Sequence, residues 1–214
     1  DTSLFVGSVR CVEATATSHT VVMRESEHFD FLKNTALPEM DRKIRDRDLR
    51  FWCAAASTGE EPYTLAMILH DYFGSRIPKW DKTLLATDLS MKVLEIAQNG
   101  IYNNEALSNI PPSWKTKYLT KFDKDSMQVK PEIRKEVVYR RFNLMDPIKA
   151  KKPYHIVFCR NVMIYFDTST KAALAERIYD SMAPGGYLFI GFTESLPKPT
   201  RFNYVKPSVY QKGV

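Results

Sequence analysis

The chain has 214 residues, 44% hydrophobic and 26% charged, with a formal net charge of +6 at pH 7. That length suits one α/β domain with a sizeable core, and the balance of apolar and charged residues is ordinary for a globular protein. No apolar run approaches the roughly 20 residues that a membrane-crossing helix needs, so direct membrane insertion is not expected.

The start, Asp1-Thr2-Ser3, has neither the basic flank nor the apolar core of a signal peptide, and the missing initiator Met points to a processed chain or a fragment. Cys11, Cys53 and Cys159 are far apart, and His19, His28, His70 and His155 show no ligand spacing, so no metal site is expected. Cys53 and Cys159 sit in apolar runs and read as buried core residues. The expected compartment is the cytoplasm. Basic residues concentrate in Arg42-Lys43-Ile44-Arg45-Asp46-Arg47 and between Lys115 and Lys152. That distribution fits a solvated surface, an acidic protein partner or nucleic acid.

Residues 1–23 show no clean period and stay unassigned. Arg24 to Leu37 predicts a helix with Phe29, Leu32 and Ala36 on one side, ending at or before Pro38 because the residue preceding a proline leaves the helical region. A charged connector, Asp41 to Asp48, leads to a strand over Leu49–Ala54 and a turn of small residues. A helix follows, with Leu65, Ile68, Leu69, Tyr72 and Phe73 on one face, stopping near Gly74. Thr83–Asp88 is a second strand, and Ser90 caps a helix carrying Val93, Leu94 and Ala97 that ends at Gly100. This β-α-β-α order predicts a parallel sheet.

Between Ile101 and Arg141 the periodicity breaks, and an antiparallel excursion is expected, with strands at 127–130 and 137–139 and a turn at 131–135. Val138–Leu144 and Tyr154–Cys159 then read as strands of the main sheet. A helix from Asp167 carries Leu174, Ile178 and Met182 and is ended by Pro184-Gly185-Gly186, ahead of a strand at Tyr187–Gly191. Two further strands flank Lys206-Pro207-Ser208.

A strand, a small-residue turn and a helix together form the cofactor cradle of open α/β sheets. Ala54 to Gly59 holds one glycine, so it is neither the G-x-G-x-x-G of dinucleotide enzymes nor a P-loop. Glu60 and Glu61 would repel phosphate at the helix start, while Asp88 at the end of the second strand can accept from both hydroxyls of a ribose. A ligand with a ribose and a cationic end but no phosphate matches, and S-adenosylmethionine is one.

Ala-Ala-Ala-Ser-Thr-Gly-Glu-Glu-Pro-Tyr at 54–63 and Phe-Cys-Arg-Asn-Val-Met-Ile-Tyr-Phe-Asp at 158–167 resemble motifs of the CheR family, the chemotaxis-receptor glutamate methyltransferases. Ala-Thr-Asp at 86–88 and Asn-Leu-Met at 143–145 lie between them in the family's order. The resemblance implies a Rossmann-like class I methyltransferase fold. Its sheet would be mostly parallel with an antiparallel C-terminal strand, helices on both faces and a small inserted β-subdomain. The methyltransferase domain would span 24–214, with 122–142 as the insertion.

It also implies S-adenosylmethionine as cofactor, with S-adenosylhomocysteine as product. Glu61 would contact the amino-acid end, Asp88 the ribose, and Asn143 and Leu144 the adenine. Arg160 and Asn161 would line the cofactor, and Tyr165 would lie beside the transferred methyl group. Upstream, Thr17-Ser18-His19-Thr20-Val21-Val22-Met23-Arg24-Glu25 resembles the segment that closes over the cofactor. Thr20 and Arg24 match, Ser18 replaces an Asn and two aromatics are absent.

The implied partners are the cytoplasmic helices of membrane chemotaxis receptors, met by a monomer without help from a receptor's C-terminal peptide. A nucleic-acid methyltransferase would need aromatic and basic residues interleaved, a pattern this chain lacks. The altered 17–25 segment keeps open a non-catalytic module that binds S-adenosylmethionine or docks to receptors. A dinucleotide oxidoreductase lacks its glycines.

Overall fold

A computed structural model describes residues 25–214. Its first helical stretch joins α1 (Ser26–Phe31), a π-helical turn (Leu32–Ala36) and α2 (Leu37–Lys43). The stop predicted at Pro38 does not occur. In the π turn the Leu37 N–H donates to the Leu32 carbonyl, five residues back, which relaxes the ladder where the proline ring would otherwise meet a carbonyl. Pro38 then falls in the first turn of α2, where a missing N–H costs nothing.

The chain continues through β1 (Asp48–Cys53), α3 (Glu60–Phe73), a 3-10 turn (Gly74–Lys79), β2 (Asp81–Asp88) and α4 (Met91–Asn99). Next come β3 (Ile101–Asn103), α5 (Pro112–Tyr118), β4 (Leu119–Lys121), β5 (Ser126–Val129), α6 (Pro131–Arg134) and β6 (Val137–Arg141). The last elements are β7 (Tyr154–Cys159), a 3-10 turn (Met163–Tyr165), α7 (Thr168–Ser181), β8 (Met182–Ile190), β9 (Asn203–Lys206) and β10 (Val209–Gln211).

Seven strands form one sheet in the order β6-β2-β1-β7-β8-β10-β9. β6, β2, β1, β7 and β8 run parallel, whereas β10 runs antiparallel to both of its neighbours, β8 and β9. The chain enters at the centre, steps outward through β2 and β6, and returns to the far side of β1 as β7. That reversal opens a crevice at the carboxyl ends of β1 and β7, where open α/β sheets hold their ligands.

The central strands are apolar over Phe51–Cys53 and Ile156–Cys159 because both faces are covered there. Phe51, Cys53, Ile156 and Phe158 pack into one core with α1 to α4. The alternating Trp52, Ala54, Val157 and Cys159 pack into a second core with Leu174 and Ile178 of α7. α7 starts where expected, and Asp167 caps it, its side chain accepting from the Thr170 N–H.

Several expected boundaries move. β3, β5 and β4 form the small antiparallel sheet, so the excursion draws its strands from 101–129 rather than from 122–142. Val137–Arg141 pairs with β2 in the main sheet, from Leu84↔Val137 to Asp88↔Arg141, since Val137 and Tyr139 belong to the first core. α6 bridges the two sheets where a simple turn was expected. Pro184-Gly185-Gly186 lies inside β8, and a register shift between Tyr154 and Ile156 of β7 absorbs the extra residues.

Gly59 opens α3 with φ 96°, and a Cβ there would stand 2.8 Å from both the Ala97 Cβ and the Tyr102 hydroxyl. Gly59→Ala is therefore expected to cost about 2 kcal/mol, seen as a lower urea midpoint at unchanged m-value.

Candidate active site

β1, β2, β6 and β7 end at the same edge, and backbone bonds stitch the turn after β1 to both neighbours. The Ala54 N–H donates to the Phe158 carbonyl at 2.7 Å and the Ala56 N–H to the Thr87 carbonyl at 2.9 Å. The Ser57 N–H donates to Asp88 Oδ2 at 2.9 Å, and the Ser90 N–H to Asp88 Oδ1 at 3.0 Å. Each Asp88 oxygen thus receives one N–H and keeps a lone pair for a further donor. The carboxylate is held at the rim, half-buried, where a pair of hydroxyls can reach it.

The two acids that open α3 part company. Glu60 is buried, accepts the Thr58 hydroxyl on both oxygens, and has its pKa raised by burial. Glu61 faces the crevice side, its Oε1 receiving the Cys53 thiol at 3.0 Å and its Oε2 the Arg160 guanidinium at 2.7 Å.

Arg160 leaves the end of β7 with its side chain only 3% exposed, and it also pairs with Glu25 at 2.8 Å. Its guanidinium lies 5.3 Å from the centre of the Phe29 ring. Arg160 thus joins the starts of α1 and α3 to the end of β7. Burial and the neighbouring Glu61 push the Cys53 thiol well up, and burial likewise raises Cys159. Neither is fit to act as a thiolate nucleophile.

Asn143 and Leu144 follow β6, whose exit is fixed by the Phe142 N–H donating to the Asp88 carbonyl at 3.0 Å. The Asn143 side chain accepts from the Met145 N–H at 3.0 Å, and Leu144 packs into the second core. After β7, Asn161 adopts φ 57°, and Tyr165 stands at the edge with 59% of its surface exposed. Glu61, Asp88, Asn143, Leu144, Arg160, Asn161 and Tyr165 therefore share the carboxyl edge. Ser18, Thr20 and Arg24 lie outside the described residues.

Two residues that no local pattern in the sequence flags support this edge. Buried Glu194 accepts three backbone N–H groups, from Asn161 at 2.9 Å, Ile164 at 3.1 Å and Gly191 at 2.6 Å. It pins the segment that carries Asn161 and Tyr165 to the end of β8. Gly191 permits this, since a Cβ there would stand 2.6 Å from Asn161 Nδ2. His28 is fully buried, packs against Phe189 and Phe192 with ring centres 5.6 and 4.5 Å away, and among the described residues has no hydrogen bond at either nitrogen. Its Nδ1 is 3.7 Å from Glu25. Burial first, then the charge of Arg160, lowers its pKa from 6.5 to about 4.

Among the described residues the donor set is acidic, and its cation, Arg160, is held by Glu25 and Glu61. It fits a ligand with vicinal hydroxyls and a cationic end, and it opposes a phosphate. An open parallel sheet carrying such an edge is a Rossmann-like methyltransferase domain. The family described as CheR methyltransferase, SAM binding domain, matches residues 18–211.

A chemotaxis protein methyltransferase of Borreliella burgdorferi is 38% identical over 209 residues, covering 96% of this chain and 74% of that protein. One from Pseudomonas putida is 36% identical over 188 residues, covering 86% and 68%. One from Escherichia coli is 35% identical over 188 residues, covering 86% and 63%. The chain belongs to the CheR methyltransferases, and its cofactor is S-adenosylmethionine.

As pH falls from 6.5 toward 4, the unfolded chain takes up a proton at His28 that the folded chain refuses. The stability linked to neutral His28 is whole above about pH 6.5 and is lost by up to about 1.4 kcal/mol per pH unit on the way down. Denaturant titrations across this range are expected to show a shallower slope for His28→Phe. Glu194→Gln leaves an amide facing backbone donors, and an expected loss of about 2 kcal/mol accompanies faster hydrogen exchange at Asn161 and Ile164.

Proposed function

We propose that this chain transfers the methyl group of S-adenosylmethionine to glutamate carboxylates of chemotaxis receptors, giving glutamyl methyl esters and S-adenosylhomocysteine. The observation that carries the reading is the pair of fixed acids, Asp88 with lone pairs still open and Glu61 held by Arg160, at the carboxyl edge. The names of the relatives, chemotaxis protein methyltransferases, support the substrate class.

Bound S-adenosylmethionine supplies a methyl carbon made electrophilic by its sulfonium. Glu61 holds the amino-acid end, Asp88 the ribose, and Asn143 and Leu144 border the adenine. Arg160, which holds Glu61, and Asn161 line the cofactor, and Ser18, Thr20 and Arg24 close over it. The acceptor, a glutamate with a pKa near about 4.3, is ionised at neutral pH, so the chain need not supply a general base. Its work is to align the reactants and exclude water. Arg24 attracts the anionic acceptor, and Tyr165, exposed at the rim, orients it.

No helix among the described residues is long and apolar enough to cross a membrane, in keeping with action in the cytoplasm on receptor helices. The β4–β5 turn lacks a glycine, which favours recognition independent of a C-terminal receptor peptide. The same reading takes the chain to act as a monomer.

The test is transfer of tritiated methyl groups to receptor cytoplasmic domains. Base-labile label is the expected result, since methyl esters hydrolyse in base. Cofactor binding in calorimetry with no label transferred would select the non-catalytic alternative that the altered 17–25 segment favours. Tyr165→Phe is expected to lower kcat by about tenfold while cofactor affinity is kept, and Arg24→Ala to lose most activity with the fold intact.

A further inference from the structure

The amino edge of the sheet, where Asp48 of β1 pairs with Asp81 of β2, lies opposite the edge that holds the cofactor. A pocket of about 320 Å³ opens there between the connector after α2 and the 3-10 turn after α3. Its lining includes Arg42, Arg45, Arg47, Arg76, Lys79 and Trp80.

The cations in the lining differ from those around them. Lys43 is paired with Glu39 at 2.6 Å, and Arg50 and Lys152 with Asp48 at 2.8 and 2.6 Å. Inside the pocket, Arg76 is paired with Asp41 at 2.6 Å, and Asp41 also accepts the Tyr72 hydroxyl, so its negative charge is already engaged. Arg42, Arg45, Arg47 and Lys79 are exposed, and among the described residues none has a side-chain ion pair or hydrogen bond. Arg42 suits the carbonyl end of α2 and Lys79 that of the 3-10 turn, but Arg45 and Arg47 have no such explanation.

The frame is fixed. The Arg47 carbonyl accepts the Asp81 N–H at 2.9 Å, which ties the connector to β2. Trp80 is only 8% exposed, with its ring 4.8 Å from that of Phe73. Four uncompensated positive charges around one concavity repel each other, and an anion bound there would relieve that repulsion.

We propose that this pocket binds a compact polyphosphate anion, such as the diphosphate portion of a nucleotide. Guanidinium groups match phosphate oxygens in a bidentate fashion. The volume lies at the small end of the range for small-molecule sites. The cations converge on it from two chain segments, which suits a small ligand better than the broad, convex face of an acidic helix. The two ends of the sheet thereby select ligands of opposite charge, a cationic cofactor at the carboxyl edge and a polyanion at the amino edge.

Calorimetry at low ionic strength with inorganic pyrophosphate as probe tests this on the 214-residue chain. One saturable site per chain is expected, weakened by about tenfold or more in the double variant Arg45→Ala/Lys79→Ala. Both side chains are exposed, and unchanged melting and unchanged S-adenosylhomocysteine binding confirm that the variant is folded. The absence of saturable binding, or equal binding by the variant, overturns the proposal. Displacement of pyrophosphate by S-adenosylhomocysteine also overturns it, by moving the anion to the cofactor edge. A glutamate-rich peptide that binds more tightly than pyrophosphate overturns it in favour of a protein partner.

Discussion

Among the described residues, the Arg160 guanidinium ties the carboxyl edge of the sheet together. Arg160 is removed from water and lies between Glu25 and Glu61. Taking such a charge out of water costs several kcal/mol, and the two carboxylates offset it only because the contacts are short. A trio of this kind contributes little net stability compared with an apolar replacement, so its value here is positional. It fixes Glu61 relative to β7 instead of leaving a flexible side chain at the start of a helix, and it brings the beginning of α1 to the same point. The Cys53 thiol on the other Glu61 oxygen completes the constraint.

Glu194 does for the far side of the crevice what Arg160 does for the near side. One recruits carboxylates around a buried cation, and the other recruits backbone N–H groups around a buried carboxylate. Both act on the segment that leaves β7, so the residues from Arg160 to Tyr165 are anchored at each end. This explains how a stretch with only a short 3-10 turn can present Tyr165 at a defined place while its ring stays in solvent.

Much of this was legible in the sequence. The parallel order followed from apolar runs alternating with helical periodicity, whereas an acid at a strand end or a helix start is common, and only the resemblance to the family's motifs singled out Asp88 and Glu61. Pro38 misled, because the π turn that accommodates it depends on Leu32, Ala36 and Leu37 being buried together, a tertiary effect. Residues 137–139 were given both to the excursion and, as part of Val138–Leu144, to the main sheet, and only the second assignment holds, because short strands look alike until their partners are known. The separate fates of Glu60 and Glu61 were hidden for the same reason, since adjacent acids on a helix differ only in what each one faces. Glu194 and His28 carry no local signal, because their partners lie far away along the chain or are rings packed against them.

The small antiparallel sheet gives the domain a property of a different kind. Tyr102, Leu119 and Val129 from its three strands are buried in the same core as Phe51 and Phe158 of the main sheet. Tyr102 also donates its hydroxyl to the Thr58 carbonyl at 2.7 Å, within the turn that precedes α3. The insertion is therefore not a detachable cassette. Grafting it between relatives to change its recognition surface would have to carry these inward residues along, and only its outward positions are free to diverge without disturbing the crevice.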